Sequence, residues 1–242
     1  MRLKNQPYLS FCCIAAVLAL SLTACTTPGN PYNQYKIVQE RETPVALDDR
    51  QAISNAVTLE LPPGQRVKAE ITPDDPKIQH KSTQSNYKVF ALQGKKGSRY
   101  TVELRSLCNC WGLDKFILYP VARILDEAGN IINNNPVNIS LREPDWNYPV
   151  NIHMVWEGMF DEDGLYYLLV SSYNDNIGNA YLTFTEFDYL ASQIQKVSVI
   201  SSYLDLLARA GNSSGEVSDP SAHHLWSYPT GKIIATFTMV PE

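Results

Sequence analysis

Histidine and cysteine are the residues here best suited to proton transfer, metal ligation or redox work. The four histidines are His80, His153 and the adjacent pair His223 and His224. A helical metal site wants two histidines four residues apart, and adjacent side chains on a strand point to opposite faces. The sequence holds no His-Glu-x-x-His, no Gly-x-Ser-x-Gly and no Gly-rich phosphate loop. A hydrolase would need His153 or His223 to meet carboxylates in a pocket. Asp161-Glu162-Asp163-Gly164 has spacing that can touch calcium, but it lacks the twelve-residue EF-hand loop and reads as an acidic hairpin turn. Cys108 and Cys110, one residue apart, are a disulfide candidate whose ring would be tight and strained. A redox or metal role competes with a structural pair there, although no nearby His or Cys completes four zinc ligands. The expectation is a non-enzymatic chain with no cofactor and no metal.

Aromatic residues offer a different chemistry. Trp146 and Tyr148 lie in Pro144-Asp145-Trp146-Asn147-Tyr148, and Trp226 and Tyr228 follow His223 in His223-His224-Leu225-Trp226-Ser227-Tyr228. Rings exposed on loops beside Asp, Asn and His stack on a sugar face while the polar groups bind its hydroxyls. Trp146, Tyr148, His223, Trp226 and Tyr228 are therefore the ligand-binding candidates. The plainer alternative is that these rings cover sheet edges.

The N-terminus carries a targeting signal. Arg2 and Lys4 precede an apolar run from Leu9 to Leu22, short for a membrane span. The run ends in Leu22-Thr23-Ala24-Cys25, which resembles the lipobox of bacterial lipoproteins. The resemblance implies that Met1–Ala24 is a cleaved signal peptide and that the Cys25 thiol is lipidated. Two or three acyl chains, at about 0.8 kcal/mol per buried methylene, anchor far better than one. Residues 25–44, rich in Pro, Asn and Thr at their start, read as a flexible tether. By the same resemblance, Thr26 rather than Asp after the cysteine implies an outer-membrane anchor facing the periplasm; a Gram-positive surface stays open. The net charge of −5 falls further once Arg2 and Lys4 leave, and no basic stripe is present, so no nucleic-acid partner is expected.

The remaining chain must position these residues. Asp48 to Ile53 opens a short helix. Val57–Leu61 and Val67–Ile71 alternate, separated by Pro62-Pro63-Gly64. Tyr87–Leu92 and Tyr100–Leu104 flank Gly94-Lys95-Lys96-Gly97 as a hairpin. Phe116–Leu125 is β-branched and aromatic, with Pro120 marking an edge or bulge. Asn133–Pro149 reads as a long polar loop. Val150–Trp156, Leu165–Val170, Tyr181–Phe187 and Lys232–Val240 are further strands. Leu190, Ile194, Val197, Ile200, Leu204 and Leu207 recur at helical spacing, a helical excursion near 188–210. The expected fold is all-β and mainly antiparallel, a single β-sandwich or jelly roll over residues 45–242.

Three stretches resemble the maltose-operon periplasmic protein (MalM-like) family. They are the Val89–Leu104 hairpin leading into Tyr119–Asp126, then Tyr166–Ser172, then Asp219-Pro220-Ser221-Ala222-His223 with Gly231–Ile234. The chain departs from that family in its lipidation site and in Cys108 and Cys110. The hairpin and the Asp-Gly-Leu-Tyr-Tyr strand are also similar to pre-peptidase C-terminal domains, β-sandwich modules attached to secreted enzymes. The first resemblance implies an oligosaccharide system, the second a protease or its substrate. The resulting expectation is an accessory envelope lipoprotein that binds glycan or a partner of an uptake or secretion system. A structural or interaction subunit of an envelope protein complex is the alternative.

Overall fold

Arg99–Leu107 alternates strictly between buried and at least partly exposed side chains, whereas Thr83–Gly94 is buried over most of its length without alternating. A strand with one open face alternates; a strand covered on both faces does not. That contrast describes the whole architecture. The computed structural model describes residues 30–80, 82–109, 115–142, 144–174, 177, 181–182 and 225–240. Two helices, α1 (Pro31–Glu40) and α2 (Asp49–Asn55), flank β1 (Val45–Ala46). Then come β2 (Thr58–Glu60), β3 (Arg66–Ile71), β4 (Lys77–His80), β5 (Thr83–Gly94), β6 (Arg99–Leu107), β7 (Lys115–Leu118) and β8 (Pro120–Leu125). The rest are β9 (Ile131–Asn133), β10 (Asn138–Arg142), β11 (Asn151–Met159), β12 (Gly164–Ser172), β13 (Tyr181–Leu182), β14 (Leu225–Tyr228) and β15 (Gly231–Val240).

The fold is an all-β sandwich, mainly antiparallel. One sheet runs β1-β4-β5-β12-β8-β9, with β2 also beside β5; the other runs β10-β11-β6-β15-β3. Phe90, Leu92, Ile124, Leu168 and Val170 from the first sheet meet Val102, Leu104, Met154, Trp156, Ile233 and Phe237 from the second in one core. The far face of the first sheet is covered as well. There Val89, Tyr87, Leu125 and Leu169 pack with Ala52 of α2 and Ala46. Tyr87 donates its hydroxyl to Ala52 O at 2.9 Å, and burial pushes its pKa up to about 12. No core cluster covers the far face of the second sheet among the described residues, which leaves it to carry a site.

Several sequence expectations need correction. The tether drawn over residues 25–44 is too long, because Pro31–Glu40 is a helix with Pro31 and Val38 buried. Asn30 caps it, accepting from Tyr32 N at 2.9 Å, and Pro31 at its first position is pre-set for helical φ. The same Asn and Pro read as breakers when the tertiary partner is unseen. That partner is Lys77, 4% exposed, whose Nζ donates to Arg41 O at 2.8 Å and to Val38 O and Gln39 O at 3.4 Å. A buried ammonium thus satisfies carbonyls at the helix C-terminus, the end where a cation is favoured. Lys77→Met should expose those carbonyls without a donor and cost about 1–3 kcal/mol. Hydrogen exchange should quicken across 31–40 and stay unchanged in β12; equal protection of α1 in both proteins would reject this capping role.

The polar loop over 133–149 contains an edge strand, β10, whose Ile139 and Leu141 pair with Met154 and Ile152 and reach the core. Strand β4, which the residue pattern did not single out, begins directly after Pro76. Pro120 is neither edge nor bulge within one strand. It starts β8 and separates it from β7, and the two strands belong to different sheets. Proline lacks an N–H, so the first residue of a strand is where it fits. Strand β7 pairs with β14, and β14 with β13, in a three-stranded sheet. The helical excursion near 188–210, most of Tyr181–Phe187 and the leader Met1–Ala24 with Cys25 lie outside the described residues.

Candidate functional site

The open face of the second sheet carries the outward side chains of β10, β11, β6, β15 and β3. The strand register aligns them in rows. One row is Arg142, Asn151, Leu107, Lys232 and Glu70; the next is Ser140, His153, Arg105, Ile234 and Lys68. A third holds Asn138, Val155, Glu103, Thr236 and Arg66. Period-two alternation puts the charges of β3, Arg66, Lys68 and Glu70, on this side and Val67, Ala69 and Ile71 toward the core.

The loop entering β11 folds over the face. Asp145 Oδ1 accepts from Asn147 N at 2.7 Å and from Tyr148 N at 2.9 Å, and Asp145 N donates to Tyr148 O at 2.8 Å. This Asx-type turn fixes the backbone on both sides of Trp146. It leaves Trp146 fully exposed and half-buries Tyr148. The Tyr148 ring lies 4.8 Å from the Arg105 guanidinium carbon and 5.3 Å from that of Arg66, within cation–π range. Arg105 is itself held by Asn151 Oδ1 at 3.3 Å and Glu103 at 3.6 Å. Beside Tyr148 a groove of about 580 Å³ runs along β3 and β15, lined by Arg66, Lys68, Glu70, Leu107, Asn147, Lys232, Ile233 and Ile234 among others. That volume suits a small ligand or part of an oligomer.

Of the five ligand-binding candidates, Trp146 and Tyr148 share this loop. Their roles differ from the expectation of two stacking rings. Tyr148 is engaged with two arginines, and Trp146 is the open ring. Trp226 and Tyr228 do not line the groove. They lie in β14 rather than in a loop, between β13 and β7, and Tyr228 packs on Phe116 at 5.1 Å. Alternating burial of Leu225 and Ser227 makes this short segment a strand, a pattern too brief to read against its flanking His and Ser residues. His223 lies outside the described residues, as does Cys110. Cys108 is buried and disulfide-bonded.

Two histidines sit among polar partners. His153 is 5% exposed, and its Nε2 lies 3.1 Å from Glu103 Oε2. The carboxylate accepts, so Nε2 carries the proton, and Nδ1 is buried with no partner. Burial holds the His153 pKa below 6.5, reinforced by Arg105, while the bond to Glu103 works the other way. Protonation would place a second N–H where nothing accepts it. With the folded pKa below the unfolded value, the unfolded chain takes up its proton first as pH falls. Stability present above pH 6.5 is therefore lost as pH drops from 6.5 toward the folded pKa. For one proton the slope is at most about 1.4 kcal/mol per pH unit. Urea unfolding of wild type and His153→Gln at several pH values checks this. The glutamine variant should lack that component; identical pH profiles would reject it. His80 Nε2 lies 3.0 Å from Ser171 Oγ, but Ser171 is fully buried and its hydroxyl also faces Val121 O at 3.4 Å.

Sequence reasoning passed over the cations of the groove. Arg66 and Lys68 lie two residues apart on β3, and Lys232, distant in the chain, joins them only because β3 pairs with β15. The available signal was the outward Arg-x-Lys-x-Glu of β3, which alternation already assigned to one face.

No family model matches the chain, and no curated protein matches it. Among solved structures, the chain is similar to the pre-peptidase C-terminal domain of collagenase from Bacillus anthracis. Identity is 9%, the match covers 76% of this chain and 96% of that one, and the TM-score is 0.32. The likeness to the maltose-operon family rests on its three short stretches alone.

Proposed function

We propose that this chain is a non-enzymatic accessory lipoprotein of the cell envelope, held at the outer membrane through Cys25, whose open sheet face binds glycan. The observation that carries the reading is the Asp145 turn. It presents Trp146 to solvent on the same turn whose Asn147 and Tyr148 line a groove with ammonium and guanidinium groups. A large aromatic surface next to convergent polar groups is the combination a sugar ring requires. The maltose-operon likeness points the same way.

Helix α1 adds a geometric consequence. It begins at Pro31, so six residue steps separate it from Cys25. Fully extended they reach about 20 Å. A lipidated Cys25 would keep the sandwich next to the bilayer, where envelope polymers are dense. Incorporation of labelled palmitate, abolished in Cys25→Ala, tests the anchor.

Binding is tested on the full chain, purified in detergent micelles, by tryptophan fluorescence and thermal shift against neutral and acidic oligosaccharides. Saturable binding that weakens about tenfold in Trp146→Ala, with unfolding unchanged, is the expected result. No response to any saccharide would sink the glycan reading. Stable co-purification with one envelope protein would then favour the structural subunit.

A further inference from the structure

We propose that the saccharide is anionic, bearing carboxylate or phosphate groups that seat on Arg66, Lys68 and Lys232. The inference rests on the glycan reading and deepens it. The groove joins these three cations to a single carboxylate, Glu70. The whole chain has the opposite balance, with a net charge of −5. A positive groove on a negative protein is a local arrangement, not a consequence of composition.

Among the described residues none of the three cations is neutralised by a carboxylate, and they are gathered on one groove. Elsewhere on the protein, Lys88 meets Asp75 at 2.5 Å, Arg41 meets Asp74 at 2.7 Å, and Arg105 meets Glu103. Arg66, Lys68 and Lys232 form no ion pair among the described residues; Arg66 is held through the Tyr148 ring instead. Lys68 and Lys232 sit on neighbouring antiparallel strands two positions apart in register, since Lys68 faces Ile234 and Lys232 faces Glu70. That spacing along a strand pair is about 7 Å. It suits two ammonium groups contacting successive charges of an oligomer better than one shared point charge. The buried Ile234, directly across from Lys68, gives an apolar floor, and the Asn147 loop gives one wall. Charge-assisted hydrogen bonds to carboxylate or phosphate are stronger than neutral ones. In this setting they select an acidic sugar from a neutral one of equal size.

The test titrates the full chain in detergent with three ligands of matched length: an oligogalacturonate, a phosphorylated oligosaccharide and a neutral maltodextrin. Polyglutamate serves as an anion without sugar. The expected result is that at least one acidic saccharide binds about tenfold or more tighter than maltodextrin, and weakens as salt rises. The arm that binds tighter identifies carboxylate or phosphate as the charge recognised. Lys68→Gln/Lys232→Gln, changes at exposed positions, should remove that advantage and leave thermal unfolding unchanged. Equal binding of maltodextrin, indifferent to both substitutions, would overturn the anionic ligand while leaving the glycan reading standing. Failure of every saccharide would overturn both. Polyglutamate binding as tight as the acidic saccharide, and unaffected by Trp146→Ala, would overturn the saccharide in favour of an acidic polypeptide.

Discussion

Phe160→Ala is expected to lower stability by about 3–5 kcal/mol, enough to unfold much of the protein under mild conditions. Phe160 is 1% exposed and lies 4.6 Å from the Tyr100 ring, 4.5 Å from Tyr166 and 6.2 Å from Phe237. Those rings come from β6, β12 and β15, so one side chain joins both sheets. Its backbone is fixed too, through Gly97 N to Phe160 O at 2.8 Å and Phe160 N to Ser98 O at 3.1 Å. Two glycines make room for the cluster. A Cβ on Gly94 would lie 2.4 Å from Tyr166, and one on Gly158 would lie 2.5 Å from the Tyr100 hydroxyl. Close packing around small residues leaves little freedom to collapse, so the cavity term should be nearly complete. Urea denaturation is the measurement, with Trp146→Ala as the control that changes surface but no core. A loss under about 1 kcal/mol would show that the rings rearrange to fill the space.

The elements that read most clearly from sequence are those whose local pattern agrees with one environment. Strand β6 alternates because one face meets the core and the other meets solvent. Asp48 caps α2, accepting from Gln51 N at 2.8 Å, as its position before an acidic first turn foretells. The obscured elements depend on distant partners. Helix α1 is too short to be stable alone and is completed by Lys77, 36 residues beyond Arg41. Strand β10 gains its place by pairing with β11, across a segment whose Asn and Pro content signals a loop. The division of Phe116–Leu125 between two sheets is a tertiary event that Pro120 announces only as an interruption.

The same reasoning separates what was legible in the site. Trp146 and Tyr148 stood out because large rings in a polar segment conflict with their surroundings. Asp145, which shapes their turn, is local and readable. Arg66, Lys68 and Lys232 conflict with nothing, since outward cations on a strand are ordinary. Their significance comes from the β3–β15 register and from the lack of carboxylate partners, neither of which sequence displays.

Arg123→Met should cost about 3 kcal/mol, the effect of stranding a carboxylate rather than of losing an attraction. Arg123 and Asp49 pair with side chains 13% and 15% exposed, tying β8 to the first turn of α2. Burial raises the Asp49 pKa above 3.8 even with Arg123 pulling it down, and Asp48 adds to the rise. Removing Arg123 deletes the lowering influence, so the folded-state pKa climbs further. A carboxyl with a raised folded pKa binds its proton more tightly in the fold. Stability then increases as pH falls through that raised pKa toward the unfolded value. The deficit of Arg123→Met should therefore narrow as pH falls from neutral toward the unfolded value of 3.8. Arg123→Met/Asp49→Leu should recover more than half of the loss at neutral pH, short of full recovery because an acid at a helix N-terminus contributes about 0.5 kcal/mol. Urea unfolding of the three proteins over a pH series from neutral downward decides it. A deficit that ignores pH and persists in the double variant would place the effect in lost packing of the arginine stem, and the buried charge would have no part in it.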